Sequence, residues 1–178
     1  MPTKAYEIRL GIATLIIQSF GIGAYTIAAA TGARYPRLLG LRAAAERALG
    51  RNQLDDAASF AAELLSLAEQ FSADWYYGNA VHYGHLVLGE VALARGDRSG
   101  AATELLAAGH TRGSPQLNSF GPNMRLAKGL LQAGERASVL EYLQSCESFW
   151  AMGHRQLQDW AELVRTGDIP DFGANLVY

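Results

Sequence analysis

The sequence contains little cysteine, little proline and few charged residues. Its 178 residues include one cysteine, Cys146, and five prolines. A single cysteine excludes an internal disulfide framework and a metal site built from several cysteines. Charged residues make up 18% of the chain and the net charge is −2. This balance excludes a disordered chain and a basic nucleic-acid-binding protein, and the length fits about one domain.

Signals for β-strands are weak along the whole chain. Valine and threonine are sparse, and apolar and polar residues do not alternate over any sustained stretch. Instead, leucine and alanine recur at helical spacing, in segments that small residues such as glycine separate. The sequence therefore predicts an all-α protein.

One long segment near the N-terminus has no charged residue. It runs from Leu10 to Ala33, between Arg9 and Arg34. A helix needs roughly 20 apolar residues to cross a bilayer core, and glycines are tolerated in such a helix. We expect residues 1–35 to form a membrane anchor with a single transmembrane helix.

Two other interpretations of this segment stay open. Lys4 and Arg9 followed by an apolar stretch and the small residues 28–30 resemble a cleaved signal peptide, although the apolar run is longer than usual. The alanines and glycines also permit a first helix that is buried in a soluble helical domain.

Small residues recur along one side of the predicted span. They are spaced by four, three and four residues, and they are Ser19, Gly23, Thr26 and Ala30. Small side chains let two membrane helices approach closely. The stripe is a candidate docking face for another transmembrane helix, and a chance result of high glycine and alanine content is the alternative.

The basic residues that flank the span indicate its orientation. Lys4 and Arg9 precede it, whereas five arginines follow it before residue 52. Positive charge favours the cytoplasmic side, so we expect the C-terminal part to be cytoplasmic. Because they lie just beyond the span, three of these arginines are candidate contacts for lipid headgroups: Arg34, Arg37 and Arg42.

The remainder of the chain has the pattern of paired helices. Glycines follow most of the periodic segments, and Asp97 stands where a helix N-cap is expected. The predicted helices cover residues 37–49, 54–71, 75–94, 98–108, about 122–133, 136–152 and 154–165.

Small and large residues also recur in a longer pattern. One unit contains Leu88, Gly89, Gly96, Asp97, Ala101, Leu105 and Ala108. A second, 38 residues later, contains Leu126, Ala127, Gly134, Leu143 and Cys146, and it departs from the pattern at Val139. A weaker unit, 44 residues earlier, contains Ala45, Asn52, Ala57 and Leu64.

This pattern resembles the tetratricopeptide repeat (TPR), in which small residues allow two helices to pack closely. The usual period is 34 residues, so the spacings imply enlarged connections. The resemblance covers residues 36–150 and implies an α-solenoid of about three helical hairpins. We assign the repeat domain to residues 36–169.

Three further stretches, residues 77–80, 113–123 and 170–178, are similar to a group of bacterial TPR-like proteins. This resemblance implies no particular activity. The second stretch is rich in glycine, proline and asparagine and is expected to be a loop. The third is an apolar tail that packs either on its own domain or on a partner.

The histidines offer the main candidate site. His82 and His85 share a helix face near Tyr83, on the first helix of a repeat unit. In a repeat this helix lines the groove, so these three residues are a candidate partner groove. Two histidines could bind zinc, but no third ligand is evident. Cys146 occupies a packing position.

No catalytic motif accompanies these residues. Asp171, Phe172 and Gly173 match a short kinase motif, but the other kinase motifs and a P-loop are missing from the sequence. We expect neither enzymatic activity nor a cofactor.

The sequence therefore predicts a single-pass protein of the bacterial inner membrane with a TPR-like domain. We expect an accessory or scaffolding subunit of a membrane complex, by class a photosynthetic or respiratory one. Its partners would be other subunits and the lipid bilayer. The alternative is a soluble or peripheral peptide-binding adaptor with a buried N-terminal helix, and a third possibility is a metal-dependent enzyme based on His82 and His85.

Overall fold

A computed structural model describes residues 34–177, and every regular element in that range is helical. The all-α fold class is therefore confirmed. The α-helices are α1 (Arg34–Gly50), α2 (Leu54–Glu69), α3 (Tyr77–Ala94), α4 (Arg98–Gly109), α5 (Pro115–Phe120), α6 (Arg125–Gln132), α7 (Arg136–Cys146) and α8 (His154–Thr166). Two short 3₁₀ helices cover Ala151–Gly153 and Gly173–Leu176.

The helices pack as successive hairpins. Helix α1 packs on α2, α3 packs on α4, and α6 contacts α7. Neighbouring hairpins meet through α2 with α3 and through α4 with α7, and α8 packs on α7. Small residues make these contacts possible: a Cβ atom on Gly89 of α3 would overlap Leu126 of α6, and Ala101 of α4 is fully buried.

The turn inside each hairpin is built in the same way. Asn52, Gly96 and Gly134 have positive φ angles of 58°, 83° and 91°. The next amide, at residues 53, 97 and 135, donates to the carbonyl five residues earlier, at 2.9 Å in every case. This is a Schellman-type helix end, which favours glycine or asparagine at the left-handed position. The three residues are those that the repeat pattern aligned.

The larger core lies toward the C-terminus. It joins buried residues of α3, α4, α6, α7 and α8. Trp160 of α8 stands 5.0 Å from Phe172 and 5.9 Å from Trp150 between ring centroids. Because Phe172 is fully buried there, the C-terminal tail packs on its own domain rather than projecting toward a partner.

Two predicted boundaries were wrong. The expected loop at 113–123 contains helix α5, whose N-cap Ser114 accepts a hydrogen bond from the Leu117 amide at 3.0 Å, with Pro115 in the first turn. The sixth predicted helix ends at Cys146 instead of residue 152, and a 3₁₀ turn follows.

Successive helices run in opposite directions, so the connections between them lie at two opposite edges of the domain. We call the edge with Asn52, Gly96, Gly134 and Gly167 the turn edge. The opposite edge, here the loop edge, contains the connections 70–76, 110–124 and 147–153 and the tail 172–177. The first residue of α1 also lies at the loop edge, because α1 and α2 are antiparallel.

Candidate functional site

His82 lies in the interior, where both ring nitrogens are engaged. Its side chain is fully buried. Nδ1 lies 3.0 Å from the Ala108 carbonyl, and Nε2 accepts a hydrogen bond from the Asn123 amide at 3.1 Å. This pattern requires the neutral tautomer with hydrogen on Nδ1. Burial lowers the pKa of His82 to about 4, so the ring stays neutral near pH 7.

His85 has a different environment from its neighbour one turn away. Its Nδ1 lies 2.7 Å from Oε2 of Glu104 on α4, and both side chains are partly exposed. His82 and His85 therefore point to different partners. Within residues 34–177, no group of three potential ligands could hold a metal ion.

Tyr83 is also buried, so His85 is the member of the predicted groove that a partner could reach. The guanidinium carbon of Arg42 lies 3.2 Å from the centroid of the Tyr83 ring. Cation–π attraction of this kind strengthens when the groups lose solvent. Burial raises the pKa of Tyr83, so its hydroxyl stays protonated.

Arg42 does not have the exposed position that a headgroup contact requires. Its side chain is 17% exposed, and its Nε lies 3.1 Å from Oε1 of Glu46. Arg37, another predicted headgroup contact, is more accessible and pairs with Glu63 at 3.1 Å. Arg34 begins α1.

A second partly buried ion pair joins α3 and α6. Arg125 of α6 places Nε 3.2 Å from Oε1 of Glu90 on α3. Burial raises the pKa of Glu90, and Glu46 adds to that effect while Arg125 opposes it. We name Arg42, Glu46, Glu90 and Arg125 the charged row, which spans α1, α3 and α6. The Arg42–Glu46 pair lies within α1, the Arg125–Glu90 pair joins α6 to α3, and the contact of Arg42 with Tyr83 joins α1 to α3.

A buried polar network joins the start of α3 to the connection 110–124. Asn79 is fully buried, donates to Gln116 at 3.0 Å and accepts from the Ser114 hydroxyl at 2.9 Å. Thr111 donates to the Gly78 carbonyl at 3.3 Å. Two of the stretches that sequence analysis singled out, 77–80 and 113–123, are therefore one structural unit.

The third stretch, the C-terminal tail, completes this unit. Asn175 donates to the carbonyls of Phe120 and Pro122 at 3.1 and 2.9 Å. Its own carbonyl accepts from the Met124 amide at 2.8 Å. The tail thus fixes the turn whose Asn123 amide holds His82.

The single cysteine lies in the core beside Tyr142. Both residues are buried, and burial raises the pKa of each. Tyr142 also donates to the Asn123 carbonyl at 3.0 Å. A thiol that is buried and protonated is a poor nucleophile, so the expected packing role of Cys146 fits its surroundings.

A shallow acidic cleft of about 950 Å³ lies between α7 and α8. Its floor contains Leu143, Leu157 and Ala161, and Arg165 lies at its rim. Four carboxylates also line it: Glu141, Glu147, Asp159 and Glu162. The cleft collects most of the acidic residues of the last quarter of the chain.

The predicted span Leu10–Ala33 lies outside the described residues. The same holds for its proposed docking face of Ser19, Gly23, Thr26 and Ala30. Among the helices of residues 34–177, none has the length and hydropathy needed to cross a membrane.

Comparisons with protein families, with curated proteins and with solved structures find no match to this chain.

Proposed function

We propose that this chain is a membrane-anchored, TPR-like scaffolding subunit that helps to assemble a larger membrane complex. The observation that carries the proposal is the order of two segments along the chain. The 24 uncharged residues from Leu10 to Ala33 precede residues 34–177, which form a stack of helical hairpins. A hydrophobic anchor beside such a stack would hold it at the membrane.

The repeat-like part of the proposal is supported by packing. The recurring turn at Asn52, Gly96 and Gly134 gives three hairpins of one design. Stacked hairpins of this kind bind other proteins through extended surfaces. Two candidates for such a surface are the face with the charged row and the acidic cleft.

A binding role also agrees with the positions of the histidine, cysteine and tyrosine side chains that could react. His82 has both nitrogens in hydrogen bonds to the backbone. Cys146 and Tyr142 are buried in the core. These side chains stabilise the domain, which favours a scaffold over a catalyst built on the same residues.

Carbonate extraction tests the anchor directly. We expect the full chain to stay in the membrane pellet, because a spanning helix resists high pH whereas a peripheral protein is released. Arginine near the centre of a span costs about 3 kcal/mol per residue. The double variant Ile16→Arg with Ile17→Arg should therefore shift the chain to the supernatant, whereas Gln132→Arg at the exposed end of α6 should not. Release of the parent would refute the anchor and favour the peripheral adaptor.

Purification in mild detergent tests the subunit role. The chain should elute with stoichiometric membrane partners, by class a photosynthetic or respiratory complex. Elution of the parent as a lone monomer would refute the assembly role even if the anchor is real.

The predicted orientation has its own experiment. Because Cys146 is buried, a cysteine at the exposed position Gln132 of the turn edge supplies the labelled thiol. The five arginines after the span predict that Gln132→Cys reacts with an impermeant maleimide only after the cells are opened. Reaction in intact spheroplasts would place the domain outside, and the parent chain reports any labelling of Cys146.

A further inference from the structure

The exposed large apolar side chains are concentrated at one edge of the domain. Among the described residues, six large apolar side chains are exposed, and four of them belong to the loop edge. They are Trp75 (52%), Phe120 (55%), Met152 (82%) and Val177 (80%). Exposed apolar residues scattered singly need no explanation, but a grouped set marks an interaction surface.

Hydrogen bonds hold these four residues on connected segments. Arg112 donates to the Asp74 carbonyl at 3.0 Å, which joins the connection of Trp75 to the connection 110–124. Asn175 donates to the Phe120 carbonyl and so joins the tail that carries Val177. Helix α5 contacts the 3₁₀ turn that carries Met152. The four residues therefore lie on segments that are connected to one another along the loop edge.

The uncharged N-terminal run enters the domain at this same edge. Arg37 in the first turns of α1 pairs with Glu63 in the second half of α2. Leu38 and Leu41 pack in one cluster with Leu67 and Tyr76, close to Trp75. The 33 residues before Arg34 thus join the domain beside the exposed aromatic and apolar groups, and not at the turn edge.

We propose that the loop edge rests on the headgroup region of the phospholipid bilayer, with Trp75, Phe120 and Met152 inserted at the interface. This inference rests on the proposed membrane anchor, since the anchor brings the edge to the bilayer. Tryptophan and other amphipathic rings are enriched at this depth. The occupant is therefore lipid, because the chain itself would direct this edge toward the bilayer.

The polar groups beside Trp75 suit such a position. Arg112 lies 5.0 Å above the Tyr77 ring, next to Trp75, where its charge can reach lipid phosphates. The two nearby carboxylates are hydrogen-bonded within the domain: Asp74 accepts from the Tyr76 amide at 2.8 Å, and Glu69 accepts from the Tyr77 hydroxyl at 3.1 Å.

The experiment uses the full chain, purified and reconstituted alone into phosphatidylcholine vesicles. A bimane fluorophore is attached to Met152→Cys at the loop edge or, as a matched control, to Gln132→Cys at the turn edge. Both positions are exposed, and Cys146 is buried. Each sample is measured with doxyl-labelled lipid, which quenches only fluorophores in contact with lipid, and with aqueous iodide. Carbonate extraction of the same vesicles reports the anchor separately.

The expected result is quenching by doxyl lipid and loss of iodide quenching at position 152, with the reverse at position 132. If the chain resists carbonate but iodide quenches both positions equally, the lipid-facing edge is refuted and the anchor stands. Protection from iodide without quenching by doxyl lipid would mean that a second copy covers the edge, which also refutes the inference. Release by carbonate refutes the anchor, and the lipid-facing edge with it.

Discussion

Replacing His82 by leucine should cost more stability than its single side chain suggests. The ring serves two backbone groups in the interior, the Ala108 carbonyl and the Asn123 amide. Ala108 lies in the last turn of α4, where carbonyls have no partner within the helix. The Asn123 amide lies in a buried turn. Leucine fills a similar space and satisfies neither group.

The magnitude follows from these two groups. A buried backbone group that loses its partner costs about 1–3 kcal/mol. We expect His82→Leu to lower the free energy of unfolding by about 3 kcal/mol, allowing for the apolar surface that leucine buries. For a chain of this length, that loss lowers the melting temperature by about 6–12 °C.

Thermal unfolding of the full chain in detergent, followed by far-ultraviolet circular dichroism, measures this effect. The matched control is His85→Ala, which removes a partly exposed hydrogen bond to Glu104 worth about 1 kcal/mol. His82→Gln can both donate and accept, so it should recover part of the loss. The reasoning fails if His82→Leu melts within about 2 °C of the parent, a shift that corresponds to less than 1 kcal/mol.

Three further predictions concern pH, close packing and the tail. Because burial lowers the pKa of His82 from 6.5 to about 4, the unfolded chain binds this proton more readily. The free energy of unfolding, measured with urea, should therefore fall by about 3 kcal/mol from pH 6.5 to 4. His82→Leu should lose this pH dependence. An equal change of the free energy of unfolding with pH in both chains would contradict the lowered pKa of His82. In Gly78→Ala the new Cβ would overlap the Gly113 carbonyl, so the free energy of unfolding measured with urea should fall by about 2–3 kcal/mol. In the control Gly50→Ala the new Cβ meets no atom within 4 Å, so this variant should be as stable as the parent. Equal stability of the two variants would refute the clash. Asn175→Ala removes two hydrogen bonds to backbone carbonyls and should cost about 2 kcal/mol and speed hydrogen exchange at the tail; unchanged exchange there would show that these bonds do not hold it.

Local signals in the sequence predicted the hairpins. Asp97 caps α4 by accepting from the Gly100 amide at 2.8 Å, as its residue type indicates. Gly96 and Gly134 end their helices in the left-handed conformation that glycine favours. These features depend on residues within one turn of each other, so the chain reveals them directly. Ser114 followed by Pro115 is a signal of the same kind for α5, and it was outweighed by the surrounding glycines and asparagines.

The environment of the histidines could not be predicted in this way. The spacing of His82 and His85 places them on one helix face, and the sequence says nothing about what packs there. His82 is buried because the connection 110–124 folds back over α3 and supplies Asn123, 41 residues away. Arg42 of α1 contacts Tyr83 of α3 for the same reason, because these two helices pack together only in the folded chain. Contacts between distant segments decide which polar residues face solvent.

The tail shows the same limit. Its apolar composition indicated that it packs on something, and sequence alone could not choose between its own domain and a partner. The choice depends on Asn175, whose side chain reaches carbonyls 53 and 55 residues earlier. Phe172 adds a ring contact with Trp160. Neither the hydrogen bonds of Asn175 nor the ring contact of Phe172 corresponds to a periodic pattern in the sequence.

The contrast between the two edges has a practical consequence for engineering. At the turn edge, Gly96, Gly134 and Gly167 have open space around them, since an added Cβ would meet no atom within 4 Å. An epitope tag or a fluorescent reporter inserted after Gly134 would extend into solvent, and its cost would be confined to the turn, where the Glu135 amide donates to the Leu130 carbonyl. The opposite edge offers no such freedom, because its segments are bonded to one another from residue 74 to residue 175.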